Sequence, residues 1–110
     1  IFKHNPIYLS THKRDDIYHN IQWIKINKNA SINDYLCILY KSGITSLLVE
    51  GGCSLLQAFI NSGLWDVARV ETSPDLLNEK GDKKAPIICM VPWNEEAING
   101  NKISTYLNKL

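Results

Sequence analysis

The ten residues Leu47-Leu48-Val49-Glu50-Gly51-Gly52-Cys53-Ser54-Leu55-Leu56 carry the clearest chemical signal in the chain. An apolar run ends in a carboxylate, two glycines follow, and an amphipathic pattern begins at once. The first N–H groups of a helix lack intrahelical acceptors and carry partial positive charge, so a helix start at this point suits phosphate. Glycine removes the Cβ that would hold an anion off the backbone, and the Ser54 hydroxyl adds a donor. From spacing alone, Gly51-Gly52 serves equally well as a tight strand-to-helix turn, because two glycines are far weaker than a full dinucleotide fingerprint. Glu50 closes the apolar run, where ligands of open α/β sheets are bound. It can accept hydrogen bonds from ligand hydroxyls there, or simply be a solvated strand end.

Ser10 and Thr11 follow a second apolar run, Ile7-Tyr8-Leu9, and precede His12-Lys13-Arg14. Hydroxyls beside cations can hold a further phosphate. Asp15 and Asp16 offset those charges, so a solvated loop fits the same residues. The three histidines have neither metal-ligand nor triad spacing. Cys37, Cys53 and Cys89 are odd in number without a CxxC pair, which points to free thiols. No positioned base accompanies Cys53, so a small turn residue is its expected role. Trp23, Trp65 and Trp93 are expected in a core or interface.

The elements that position these residues follow from periodicity. Ile7-Tyr8-Leu9 reads as a buried strand, and Ile17 to Ile26, rich in β-branched residues, as an extended segment before an Asn27-Lys28-Asn29 turn. Ser31 and Asp34 form a capping box with Asp in place of Glu. Ile32, Tyr35, Leu36 and Leu39 continue at helical spacing to Gly43. Ser46 to Glu50 reads as a strand buried on both faces. Leu55, Leu56, Phe59 and Ile60 then mark a second amphipathic helix, closed by Gly63. Val67 to Thr72 is a further strand, Pro74 to Lys84 a polar loop, and Pro86 to Pro92 an extended segment bracketed by prolines. Asn99-Gly100 between Ala97-Ile98 and Lys102-Ile103 is a type I′ hairpin turn, with Ile103, Thr105 and Leu107 alternating outward.

The 110 residues are 45% apolar and 21% charged, the profile of one soluble globular domain with a modest core. A net charge of +1 gives no reason to expect nucleic acid or an anionic membrane as partner, so any anion must be bound locally. No run approaches the roughly 20 apolar residues of a membrane helix and no signal-peptide pattern is visible, which makes the cytoplasm the expected location. The first residue is Ile1, and the chain reads as a piece of a longer protein.

The run Leu48-Val49-Glu50-Gly51-Gly52, continued by Leu55-Leu56-Gln57-Ala58-Phe59-Ile60, Gly63-Leu64-Trp65-Asp66 and Ala68-Arg69-Val70, closely resembles the reductase half of bacterial bifunctional riboflavin-biosynthesis deaminase/reductases. The specific match covers about twenty-five residues, and the order of elements from Pro6 to Leu107 is compatible with the rest of that half. The resemblance implies an α/β fold: a dihydrofolate-reductase-like mixed sheet with flanking helices and a C-terminal antiparallel hairpin. Residues 1–110 would be the C-terminal part of a single reductase domain. The activity implied is NADPH-dependent reduction of 5-amino-6-(5-phosphoribosylamino)uracil to the ribityl product.

Carried over by position, the resemblance places the substrate-contacting glutamate at Glu50. The NADPH-binding turn and helix start fall on Gly51, Gly52, Cys53, Ser54, Leu55, Leu56, Gln57 and Ala58, and a hydroxyl contact on Ser10 or Thr11. Val67 departs from the family pattern, which has Glu there. The zinc deaminase signature, HxE with a later PCxxC, has no counterpart here, so zinc is expected only in a deaminase domain outside this chain. The earlier reductase strands are also expected to lie outside this chain, and the piece alone is expected to be inactive. A homodimer through the reductase domain is the expected assembly. Two other uses compete: a non-catalytic dimerisation segment, and an unrelated phosphate-binding α/β module.

Overall fold

The computed structural model describes residues 7–11, 16–18, 21–75 and 84–108. The chain forms two compact units, Ile1–Gly43 and Ile44–Leu110. Together they make a mixed α/β fold with parallel and antiparallel strand pairs and two helices, consistent with part of a dihydrofolate-reductase-like domain.

In the first unit, β1 (Ile7–Ser10), β2 (Asp16–Tyr18) and β3 (Ile21–Lys25) form a sheet in the order β1-β3-β2. β1 runs parallel to β3 and β2 antiparallel to it, so the expected extended stretch from Ile17 to Ile26 resolves into two strands. Tyr8 and Trp23 are direct partners across β1 and β3, their rings edge to face at 4.7 Å. Such cross-strand aromatic pairs contribute roughly 0.2–1 kcal/mol and hold register. The chain then turns at Asn27, whose carbonyl accepts from the Ala30 amide and whose Oδ1 accepts from the Asn29 amide, both at 2.9 Å.

Helix α1 (Ile32–Lys41) begins with the expected capping box. The Asp34 amide donates to Ser31 Oγ at 3.2 Å and the Ser31 amide donates to Asp34 Oδ2 at 2.8 Å. Asp thus reaches back as Glu would. The helix stops where Gly43 takes φ +92, which L side chains rarely adopt.

In the second unit, helix α2 (Cys53–Ser62) precedes β4 (Val67–Thr72), β5 (Asn94–Ile98) and β6 (Asn101–Leu107), which form an antiparallel sheet in the order β4-β6-β5. β5 and β6 are joined through Asn99 at φ 50 and Gly100 at φ 82, the positive angles of a type I′ turn. Ile103 at 2% exposure and Ser104 at 3% are the buried residues among those described. The expectation that Ile103 alternates outward is therefore wrong. Ile103 lies in the middle of β6, the central strand, opposite Glu71 of β4 and Glu96 of β5.

Two sequence expectations fail in this unit. Residues 44–52, expected to include a strand from Ser46 to Glu50, join no strand among the described residues; Leu47 is 46% and Leu48 83% exposed. Residues 84–92, expected to hold an extended strand between Pro86 and Pro92, likewise join no strand, although the next residue, Trp93, donates its amide to the Thr105 carbonyl of β6 at 2.8 Å. Apolar, β-branched residues favour a strand only where neighbouring strands accept its backbone hydrogen bonds, and among the described residues neither stretch enters a strand ladder. Most of the polar loop from Pro74 to Lys84 lies outside the described residues. Trp23 and Trp65 are half-buried, whereas Trp93 is 69% exposed.

Candidate functional site

Helix α2 starts at Gly52, whose backbone is extended at φ −73, ψ 170 and which supplies no side-chain cap. The first helical bond runs from the Leu56 amide to the Gly52 carbonyl at 3.1 Å. The amides of Cys53, Ser54 and Leu55 therefore precede the ladder and have no acceptor within the helix. Those of Leu56, Gln57 and Ala58 lie within it. Among the eight residues implied by the resemblance at this turn, Cys53, Ser54 and Leu55 thus form the first turn with amides outside the helical ladder, and the positive end of the helix dipole adds to them.

Neither glycine before the helix is required by its backbone angles; among the described residues the positive-φ glycines are Gly43, Gly63 and Gly100. A Cβ added at Gly52 would meet nothing within 4 Å, so the space before the three amides is open. At Gly51 an added Cβ would come within 3.0 Å of Leu55 Cδ2. Gly51 allows the chain to pass close to Leu55, and Gly52 leaves clear an approach that a side chain would occupy. Ser54 and Leu55 are exposed and Cys53 half-buried, and the Cys53 thiol, like those of Cys37 and Cys89, is free.

Glu50 lies two residues before this start, exposed, on the unpaired segment. Ser10 and Thr11 sit half-buried at the end of β1, where the Ser10 carbonyl accepts from the Ile26 amide at 2.9 Å. They belong to the first unit, while the glycine turn belongs to the second. His12, Lys13 and Arg14, expected to add cations beside them, lie outside the described residues. Among the described residues no group of three His, Cys, Asp or Glu side chains is placed to hold a metal ion, and no helix is long and apolar enough to cross a membrane.

Two anchoring side chains had no signal in the sequence. The Gln57 carboxamide takes both backbone groups of Ile87: Nε2 donates to the carbonyl at 3.1 Å and Oε1 accepts from the amide at 2.8 Å. Gln57, implied by the resemblance as a cofactor-helix residue, thereby ties the segment around Ile87 to α2. Asn108 Nδ2 donates to the Gly63 and Trp65 carbonyls, each at 2.8 Å, while its amide donates to the Asp66 carbonyl at 2.9 Å. These bonds fix the end of α2 to the end of β6. The contacts span 30 and 45 residues, beyond any local pattern.

A family model described as the RibD C-terminal domain matches residues 2–90. The "Riboflavin biosynthesis protein RibD" of Corynebacterium ammoniagenes is 38% identical over 64 residues, which are 58% of this chain and 19% of that protein. The match spans less than a fifth of the relative's length.

Proposed function

Because the chain belongs to the RibD C-terminal domain family, we propose that it is part of a riboflavin-biosynthesis reductase that binds NADPH at the start of α2. The substrate is 5-amino-6-(5-phosphoribosylamino)uracil, whose ribosyl group is reduced to ribityl. The observation that carries this reading is the set of three uncapped amides at Cys53, Ser54 and Leu55 behind a glycine with open space where its Cβ would be. That arrangement fits a diphosphate, which needs several donors at close range and no intervening side chain.

NADPH supplies a hydride for C1 of the open-chain ribose when it is bound. The Cys53, Ser54 and Leu55 amides hold the diphosphate, with the Ser54 hydroxyl as a further donor. Glu50, exposed beside the turn, accepts hydrogen bonds from ribose hydroxyls and so orients the carbon that is reduced. Zinc-dependent deamination belongs elsewhere in the whole protein, which is cytoplasmic and dimeric in this reading.

The rival uses are less well supported. Strand addition across a dimer by the C-terminal hairpin would run along β5, an outer strand bearing Glu95 and Glu96, and charged edges oppose pairing. A doubly wound nucleotide module has little use for the antiparallel β4-β6-β5 sheet. Calorimetric titration with NADPH and NADH, on the wild type and on Gly52→Val and Glu50→Gln, tests the proposal. Gly52→Val should weaken NADPH binding by about tenfold or more, roughly 1.4 kcal/mol. Glu50→Gln should leave NADPH affinity unaltered and weaken substrate. Unaltered NADPH affinity in Gly52→Val would show the diphosphate site to be wrongly placed.

A further inference from the structure

Helix α2 has little of its own to keep its ligand end formed. It is 10 residues long, with no side-chain cap at Gly52, no acidic residue in its first turn and no fully buried residue. Helices of this length are marginal in water without tertiary support, and they fray from their ends. Among the described residues, the hydrogen bonds that tie Cys53 to Gln57 to anything beyond the helix and its cap both come from Gln57. Its Nε2 donates to the Ile87 carbonyl at 3.1 Å and its Oε1 accepts from the Ile87 amide at 2.8 Å, 30 residues along the chain. The N–H and C=O of one residue are thereby both taken, as they are in a hydrogen-bonded pair of antiparallel strands.

The same bonds leave Gln57 no donor for a phosphate. A carboxamide has two N–H donors. One goes to the Ile87 carbonyl and the other to Asn61 Oδ1 at 3.0 Å, while the Gln57 main-chain amide lies inside the helical ladder. The resemblance counts Gln57 among the cofactor residues; its bonding makes it a support for them instead. Gln57 stands one helical turn after Cys53, so holding it gives the first turn a fixed base on which to form. An anion on the Cys53, Ser54 and Leu55 amides would cap that same turn from the other side. The Ile87 backbone and the anion therefore favour one state of one short helix, and each strengthens the hold of the other.

We propose that Gln57 is a positioning residue for the cofactor: its clasp on Ile87 keeps the first turn of α2 formed before the nucleotide arrives, and bound nucleotide tightens the clasp. The proposal rests on NADPH binding at that turn. Amide exchange of the nucleotide-free protein gives the first reading. Gln57→Leu keeps a strong helix former and removes the polar end. Gln57→Glu at neutral pH keeps an acceptor for the Ile87 amide but sets a carboxylate against the Ile87 carbonyl and Asn61 Oδ1. Both should speed exchange of the Leu56 amide, the first helical bond, by about fivefold or more. The Gly63 amide, bonded to the Ile60 carbonyl at the far end, should exchange as in wild type. NADPH gives the second reading. At saturation it should slow exchange of the Ile87 amide in wild type by about threefold or more, a response that a merely structural tie would not give. Gln57→Leu should bind NADPH about threefold or more weakly, because less of the protein holds the turn ready. Wild-type exchange at Leu56 in both variants, equal acceleration at Leu56 and Gly63, or an Ile87 amide indifferent to saturating NADPH would each overturn the proposal. Unaltered NADPH affinity in Gln57→Leu beside weakened affinity in Gly52→Val would overturn it and leave the diphosphate site standing; unaltered affinity in both would remove the site as well.

Discussion

Replacing Gly52 by Asp should make the protein more stable and a worse binder of NADPH, two effects that share one cause. Gly52 is the N-cap of α2 and provides no side-chain acceptor, and its angles of φ −73, ψ 170 are open to any residue. An Asp carboxylate there would accept from the unspent amides, with space for it because a Cβ at this position meets nothing within 4 Å. The gain over glycine as an N-cap is a few tenths of a kcal/mol, and a carboxylate at a helix start adds about 0.3–1 kcal/mol. The sum, roughly 0.5–1 kcal/mol, should raise the melting temperature by roughly 2–8 °C in a domain of this size. The same carboxylate occupies the proposed phosphate donors and repels the diphosphate. Two unit charges at about 4 Å interact by up to roughly 4 kcal/mol near a protein surface, so even heavily screened repulsion should weaken NADPH by tenfold or more. Gly52→Asn, an uncharged cap, should fall between. Thermal melts and calorimetric titration on the same samples read both quantities. A protein that melts higher yet binds NADPH with wild-type affinity would refute the reasoning.

Three further substitutions test the framework. Asn108→Leu removes the two side-chain bonds to the Gly63 and Trp65 carbonyls and should cost roughly 1–3 kcal/mol; an unchanged urea midpoint would show that the clasp contributes nothing. Ser31→Ala breaks the capping box of α1 and should lower stability by about 1 kcal/mol, read as faster amide exchange in 32–41 than in wild type. Gly100→Val forces a β-branched residue to φ 82 and should cost about 1–2 kcal/mol in the β5-β6 hairpin; undiminished exchange protection in β6 would contradict the type I′ turn.

Local chemistry made some of this architecture legible in the sequence. Ser31 and Asp34 announce a helix because both hydrogen bonds form within four residues, and Gly43 and Gly63 announce its end because a positive φ is a property of one residue. Asn99-Gly100 announces a hairpin for the same reason. The expected Ser46–Glu50 strand failed because strand formation needs distant partners, and apolar composition says only that partners would be welcome. Ile103 was misjudged because alternation within β6 does not reveal that the strand is central, with β4 and β5 paired on either side of this residue. At the candidate site, the glycine turn and the helix start were legible, but which amides remain unspent depended on locating the first helical bond at Leu56. The clasps of Gln57 and Asn108 left no trace in the sequence, since Gln and Asn take these roles only once a backbone far along the chain lies beside them.

Amide spectroscopy of the nitrogen-15-labelled protein during titration with NADPH examines the diphosphate site at atomic level. The signals of Cys53, Ser54 and Leu55 should shift most and saturate together, while those of Gln57 and Ala58 inside the helix move little. Saturation by NADPH with these three signals unmoved would place the nucleotide elsewhere and contradict the account.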